Sequence, residues 1–386
     1  MSQSNKIKLV YCTPSLSNPG GMERVITEKV NYLSEKNYDI TIITTDNRGI
    51  KDFFVLSPQV KRIDFELNYD LHFTKNFFRQ LYSHVQKQKK YKKMLQDFLF
   101  EEEIDICIST GGKEIEFLSK INTKCKKIVE IHFGKNFRKQ FVQSTKKSIF
   151  WKIFAKYRTQ QLIAQTKKLD TLVVLTKKDE LDWKKTHKNI VQIYNPVYTE
   201  QTKEAQLTNN VAIAVGKLDP QKGFDMLIDC WKQISEKNPS WILNIWGQGE
   251  LKEYLQKKIM LVNLEHKVFL KGSSSEIHKH YLDSSLLLMT SRFEGFPMVL
   301  LEALSCGLPI IAYDCEHGPS ELVDNGYNGY IIPDFDESEF VEKADFLINN
   351  HDIRKSFGKN SLRKSQDFSF IKIMNQWDTL FHNLLK

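Results

Sequence analysis

No run of about eighteen uninterrupted apolar residues occurs in the 386-residue sequence, which excludes an ordinary membrane-spanning helix. The most apolar region, Met298 to Tyr313, is broken by Glu302, Gly307 and Pro309. Cysteine is scarce. Its six copies stand singly with no CxxC pair, so neither a disulfide framework nor a zinc site is indicated, and a reducing, cytoplasmic setting is expected. A signal peptide is not expected either, because Lys6 and Lys8 precede only the short apolar run LVYC, which reads as a first strand. Acid is missing altogether from Lys135 to Arg158, a stretch with eight Lys/Arg.

What is present fits a soluble globular protein of two domains: 41% hydrophobic residues, 27% charged ones, and a length beyond one ordinary core. The net charge of +9 divides into +15 for residues 1–195 and −6 for 196–386, so the two halves face different partners. A basic half suits nucleic acid, anionic lipid or an acidic substrate.

The chain is organised around SRFEGFPMVLLEALSCGLPIIAYD, Ser291 to Asp314. The apolar run SLLLMTS before it reads as a buried parallel strand. Phe293-Glu294-Gly295-Phe296 turns the chain, Pro297 suits the first helical position, and a helix through MVLLEAL stops at Gly307 before a strand, LPIIAYD. Such a unit aims a helix N-terminus at the carboxyl edge of a parallel sheet, where phosphorylated ligands bind. Glu294 precedes the helix, and Glu302 follows after seven intervening residues as the helix's only charge. A lone charge among Met298, Val299, Leu300, Leu301, Ala303 and Leu304 needs a partner.

EGFPMVLLEALSCGLPII resembles the signature of family 4 retaining glycosyltransferases, which have the two-domain GT-B fold. The resemblance implies that Glu294 contacts the donor sugar, that Glu302 holds the ribose hydroxyls, and that Phe296, Met298 and Val299 lie at the donor. It covers nearly the whole second half and the first half only in outline.

In the first half, IKLVYCTP is a strand, and Gly20-Gly21 then opens a helix with Met22, Val25, Ile26, Val30 and Leu33 at helical spacing. The spacing is not GxGxxG, so a dinucleotide site is weakly supported. By resemblance, Gly20 and Gly21 lie under the donor. A helix from Lys75 onward is expected to set Phe77, Phe78, Leu81 and Val85 on one side. KKIVEIHF ends a strand at His132, which by resemblance touches the donor sugar. Between Lys135 and Arg158, Phe137, Phe141, Phe150, Trp151, Phe154 and Tyr157 interleave with the cations. That pattern reads as a membrane-surface patch or, alternatively, as core aromatics beside solvated lysines.

Asn195-Pro196 marks the linker. VAIAVGKLDPQKGF then places Lys217 and Lys222 in one loop, with Gly216 and Gly223 permitting close backbone approach. Two cations there would stabilise a diphosphate leaving group. The family pattern has Arg at the first position, so Lys217 exchanges a bidentate contact for a point charge. Gly272 and Ser273 match the loop that touches the nucleotide base. Asp334 and Asp336 resemble a DxD metal motif, but they open a helix after a strand, where acids cap. No metal or other cofactor is therefore expected.

The expected architecture is α/β: a GT-B pair of Rossmann-like domains facing a cleft. Residues 1–195 would bind the acceptor, residues 196–368 the nucleotide sugar, and a final helix, 369–386, would pack back on the first domain. The expected reaction moves a sugar, with retention, from a UDP-sugar to a hydroxyl of a glycan acceptor, lipid-linked, in surface-polysaccharide synthesis. The expected location is the cytoplasmic face of an anionic membrane. A nucleotide-sugar 2-epimerase shares the fold and is the alternative. Charge alone suggests nucleic acid, which the acidic second half argues against.

Overall fold

The computed structural model describes residues 6–69, 77–144, 149–198 and 203–386. Two parallel sheets organise it. The first is seven-stranded, in the order β3-β2-β1-β4-β5-β6-β7. Its strands are β1 (Ile7–Thr13), β2 (Tyr38–Thr44), β3 (Lys61–Asp64), β4 (Ile106–Ser109), β5 (Lys126–Ile131), β6 (Thr171–Val174) and β7 (Ile190–Gln192). Helices α1 (Gly21–Ser34), α2 (Phe77–Glu101), α3 (Phe137–Ser144), α4 (Ile149–Thr166) and α5 (Lys177–Lys184) accompany it.

The second sheet is six-stranded, in the order β10-β9-β8-β11-β12-β13. It comprises β8 (Val211–Val215), β9 (Ile242–Trp246), β10 (Val268–Gly272), β11 (Leu286–Met289), β12 (Ile310–Tyr313) and β13 (Gly329–Ile332). Around it stand α6 (Phe224–Lys237), α7 (Lys252–Leu261), α8 (Ile277–Leu282), α9 (Met298–Ser305), α10 (Pro319–Leu322), α11 (Glu337–Asn349) and α12 (His351–Ser365). All strand pairs in both sheets are parallel, so each strand delivers its carboxyl end to the same edge.

The inner strands are apolar because helices cover both faces. β11 and β12 are buried along their whole length, and α6 turns Leu227, Ile228, Trp231 and Ile234 inward at helical spacing. The last helix, α13 (Phe370–Leu385), returns to the first sheet. Phe370, Ile373, Met374, Trp377 and Phe381 share a buried cluster with Leu9, Tyr11, Ile26 and Val30. The two crossings between domains are tied together, since the Val197 N–H donates to Phe368 O at 2.9 Å.

One expectation needs correction. Pro297 is the N-cap of α9, not its first helical residue. Its extended backbone leaves its carbonyl to accept from Leu300 and Leu301. On α2, Leu81 and Val85 are exposed, and the buried side chains are Tyr91, Leu95 and Leu99, one further turn and more along. Phe77 and Phe78 side chains lie outside the described set, as do residues 145–148. No helix among the described residues is long and apolar enough to cross a membrane.

Candidate active site

The loop after β8 and the loop after β11 are locked to each other. Arg292 grips Asp225 with both terminal nitrogens (3.0 and 2.7 Å) and donates to Pro220 O at 2.7 Å. Burial opposes ionisation of Asp225, but the Arg292 guanidinium outweighs it and holds the carboxyl below its ordinary range. Gly223 lies in the left-handed region at φ 64°, and a Cβ there would come within 2.1 Å of Thr290 O. Only glycine permits that approach.

Within this frame, Lys222 Nζ donates to Glu294 Oε1 at 2.7 Å, and Glu294 is 6% exposed. Gln221 Nε2 holds the carbonyl of Phe293 at 3.1 Å. The Lys222 stem runs over Gly216, where a Cβ would be 3.0 Å from Lys222 Cγ. Lys217 is exposed in the same loop. Gly272 takes a positive φ of 79°, and its carbonyl accepts from Gly247 N at 2.7 Å; Ser273 next to it is exposed.

Further along α9, Glu302 is partly buried and has two protein partners. Arg24 Nη1 lies 3.1 Å from Oε1, and Tyr281 OH donates to Oε2 at 2.9 Å. Burial pushes this carboxyl up, against the opposing pull of Arg24 and the Tyr281 hydroxyl. The charge on an apolar helix therefore has partners, and one comes from the other domain.

The first domain closes on this helix. Gly20 caps α1 with extended backbone, and Gly21 faces α9, where a Cβ would meet Met298 Cγ at 3.0 Å. Gly295 sits on the His132 backbone, with its would-be Cβ 2.6 Å from His132 O. His132 Nε2 lies 3.2 Å from Glu130 Oε1. Val299 is partly buried beside the core of the second domain. The ring of Phe296 packs against Tyr194 and Phe368 at 5.7 and 6.0 Å, so that residue presents backbone, not ring, to its loop.

Sequence reading passed over Arg24, Tyr281, Gln221, Glu130 and Glu23. Glu23 is buried in the first turn of α1, and burial raises its carboxyl despite Asn18 and nearby His132. Its only sequence signal was an acid next to a glycine-opened helix N-terminus.

Asp336 caps α11 by accepting from Glu339 N at 3.0 Å, and the Asp334 side chain lies outside the described set. Among the described residues, Asp182, Glu316 and His317 bring ligand atoms within 4.8 Å of one another. Both carboxylates already have protein donors, Asn136 and Gln140 on Glu316 and Lys185 on Asp182.

Residues 199–364 match the family model described as glycosyl transferases group 1. This part of the chain resembles a group 1 glycosyl transferase domain. The matched residues include Glu294, Glu302, Lys217 and Lys222. Over the whole length, the chain is 29% identical to an uncharacterized glycosyltransferase of Haemophilus influenzae, covering 96% of this chain and 98% of that one. The amylovoran biosynthesis glycosyltransferase AmsD of Erwinia amylovora is 34% identical over 51% of this chain and 53% of its own. Among solved structures, a mutant of S. aureus TarM in complex with Fondaparinux, alpha-GlcNAc-glycerol and UDP superposes with a TM-score of 0.78. That likeness spans 97% of this chain and 99% of TarM at 19% identity, and it shows the fold: the chain has the GT-B architecture.

Proposed function

We propose that the chain is a family 4 retaining glycosyltransferase, moving a sugar from a UDP-sugar to a hydroxyl of a lipid-linked glycan in surface-polysaccharide synthesis. The observation that carries this reading is the Lys222–Glu294 pair at the mouth of α9, with Glu302 further along the same helix. A diphosphate at that mouth meets Lys222, Lys217 and the unpaired N–H groups of the helix. Lys222 then moves from Glu294 to the phosphate, and Glu294 accepts from a sugar hydroxyl instead. Glu302 takes the ribose hydroxyls, and Gly20 and Gly21 leave room for the donor.

In the reaction, the acceptor oxygen forms its bond to the anomeric carbon on the face that the phosphate leaves. The bond from that carbon to the phosphate oxygen breaks, and that oxygen takes the acceptor proton. Lys222 stabilises the charge that grows on it, so no metal is required. AmsD is named for polysaccharide synthesis and the TarM crystal holds UDP, which supports this choice of donor and acceptor class.

The proposal includes an anionic membrane surface as partner, on the inner face of the membrane. Ile149, Ile153 and Tyr157 of α4 are 71%, 64% and 63% exposed, and Lys152 and Lys156 are exposed beside them. Not every cation of the stretch is available, since Arg158 pairs with Glu116 at 3.1 Å and Lys135 is turned inward over Trp183.

Incubating the protein with a panel of nucleotide sugars and lipid-linked acceptors, with mass spectrometry of the products, tests the proposal. The expected product is an acceptor heavier by one sugar. Failure of every donor to react overturns it.

A further inference from the structure

We infer that Glu130, anchored by Lys29, is the positioning residue that sets the orientation and tautomer of His132. For its effect on rate, the inference rests on the sugar-transfer reading above.

Alternation along an extended chain puts Glu130 and His132 on the same side of the sheet. Glu130 is 1% exposed, and an isolated carboxylate there would be costly. Lys29, on α1 and itself 0% exposed, approaches Oε2 at 2.5 Å. Two ring faces also lie near the ammonium, with Trp377 at 3.9 Å and Tyr11 at 5.2 Å from their centroids. Trp377 belongs to α13, so the returning helix supplies the roof over the pair. Burial works against ionisation of Glu130, but Lys29 and His132 outweigh it and hold the carboxyl down to about 2.

Lys29 needs only one carboxylate oxygen. The other, Oε1, lies 3.2 Å from His132 Nε2, although the ring N–H is off the line to it. Catalytic hydrogen bonds of this kind tighten when substrate arrives. A carboxylate accepts and cannot donate, so it selects the tautomer with the proton on Nε2. The other nitrogen, Nδ1, then carries the lone pair and accepts from a sugar hydroxyl. Because Lys29 holds Oε2, the carboxylate cannot turn away. Glu23 is the second carboxylate near His132, but burial raises it, so it competes less for the ring N–H.

The test uses the full chain labelled with 15N-histidine, with His132→Gln identifying the resonance. Wild type is expected to show Nε2–H. In Glu130→Gln, the Lys29 ammonium takes the amide oxygen, leaving the amide N–H groups to face His132. The ring then turns to the Nδ1–H tautomer. kcat is expected to fall roughly 10- to 100-fold, the scale of a misplaced group, with nucleotide affinity unchanged. Lys29→Met/Glu130→Gln leaves no buried charge unpaired, so it serves if the single variant does not fold, and it is expected to give mixed tautomers and the same loss of kcat. Folded variants with the wild-type tautomer and kcat overturn the inference. If wild type transfers no sugar at all, the sugar-transfer reading fails while the imidazole spectra still decide this one: a changed tautomer in the variants supports it, and an unchanged one overturns it.

Discussion

Arg24 of the first domain and Glu302 of the second meet across the cleft, with Nη1 3.1 Å from Oε1. A nucleotide whose ribose takes Glu302 must share or replace that partner. Glu302→Ala is expected to weaken UDP binding by about 1.5–3 kcal/mol, the value of a charge-assisted hydrogen bond. Calorimetry measures this directly, and an unchanged affinity in a folded variant removes Glu302 from the site.

The same carboxyl gives a pH prediction. Burial raises it, so its proton returns at a higher pH than for an exposed Glu, and UDP affinity should fall as pH drops toward the carboxylate range. The Tyr281 hydroxyl favours the charged form. Tyr281→Phe should therefore move the onset of that fall to higher pH. Titrating UDP at several pH values checks the direction, and a shift to lower pH contradicts it.

In the proposed reaction, Lys222 carries the charge work at the leaving group. Lys222→Ala is expected to lower kcat by about 10²–10³, as for loss of one oriented donor. It also leaves Glu294, 6% exposed, without its cation, so thermal stability should drop as well. Lys222→Arg should recover part of both. Lys217, exposed in the same loop, should cost less when replaced by Ala.

Much of this was legible in the sequence, and what was not has a common cause. Glu294, Pro297, Glu302 and Gly307 fall within one short stretch, where strand, turn and helix follow from local pattern. Arg24 and Glu302 are 278 residues apart, and nothing local announces their pairing. Nothing local in the α1 sequence marks Lys29 for burial, and Trp377 reaches it from the far end of the chain. On α2, the buried positions Tyr91, Leu95 and Leu99 stand among lysines and polar residues, so no compact apolar run marks them. β3 has no apolar signature, since KRID is a half-covered edge strand.

The Lys29–Glu130 pair predicts acid sensitivity. Glu130 is held down to about 2 in the fold, against an ordinary value of 4.5. Its contribution to stability is thus fully present above that ordinary value and is lost as pH falls toward about 2. Lys29→Met should destabilise the fold at neutral pH by about 3–5 kcal/mol, because it leaves a buried carboxylate alone. Urea unfolding across this range measures both, and a Lys29→Met variant as stable as wild type contradicts the account.

The exposed face of α4 should meet anionic lipid. Each cation near such a surface contributes about 1 kcal/mol, screened within about 8 Å at physiological salt. Lys152→Glu with Lys156→Glu should abolish sedimentation with anionic vesicles at low salt and leave UDP binding intact. Wild-type protein that ignores such vesicles reduces the patch to a solvated face.

The proposed chemistry is sugar transfer with retention, driven by Lys222 and α9 without a metal. The most direct measurement is time-resolved proton NMR of donor, acceptor and protein together in excess chelator. The expected result is a new glycosidic linkage with the anomeric configuration of the donor, and UDP released in step with it. An inverted linkage, a strict need for a divalent ion, or conversion of the donor with no acceptor present would contradict it.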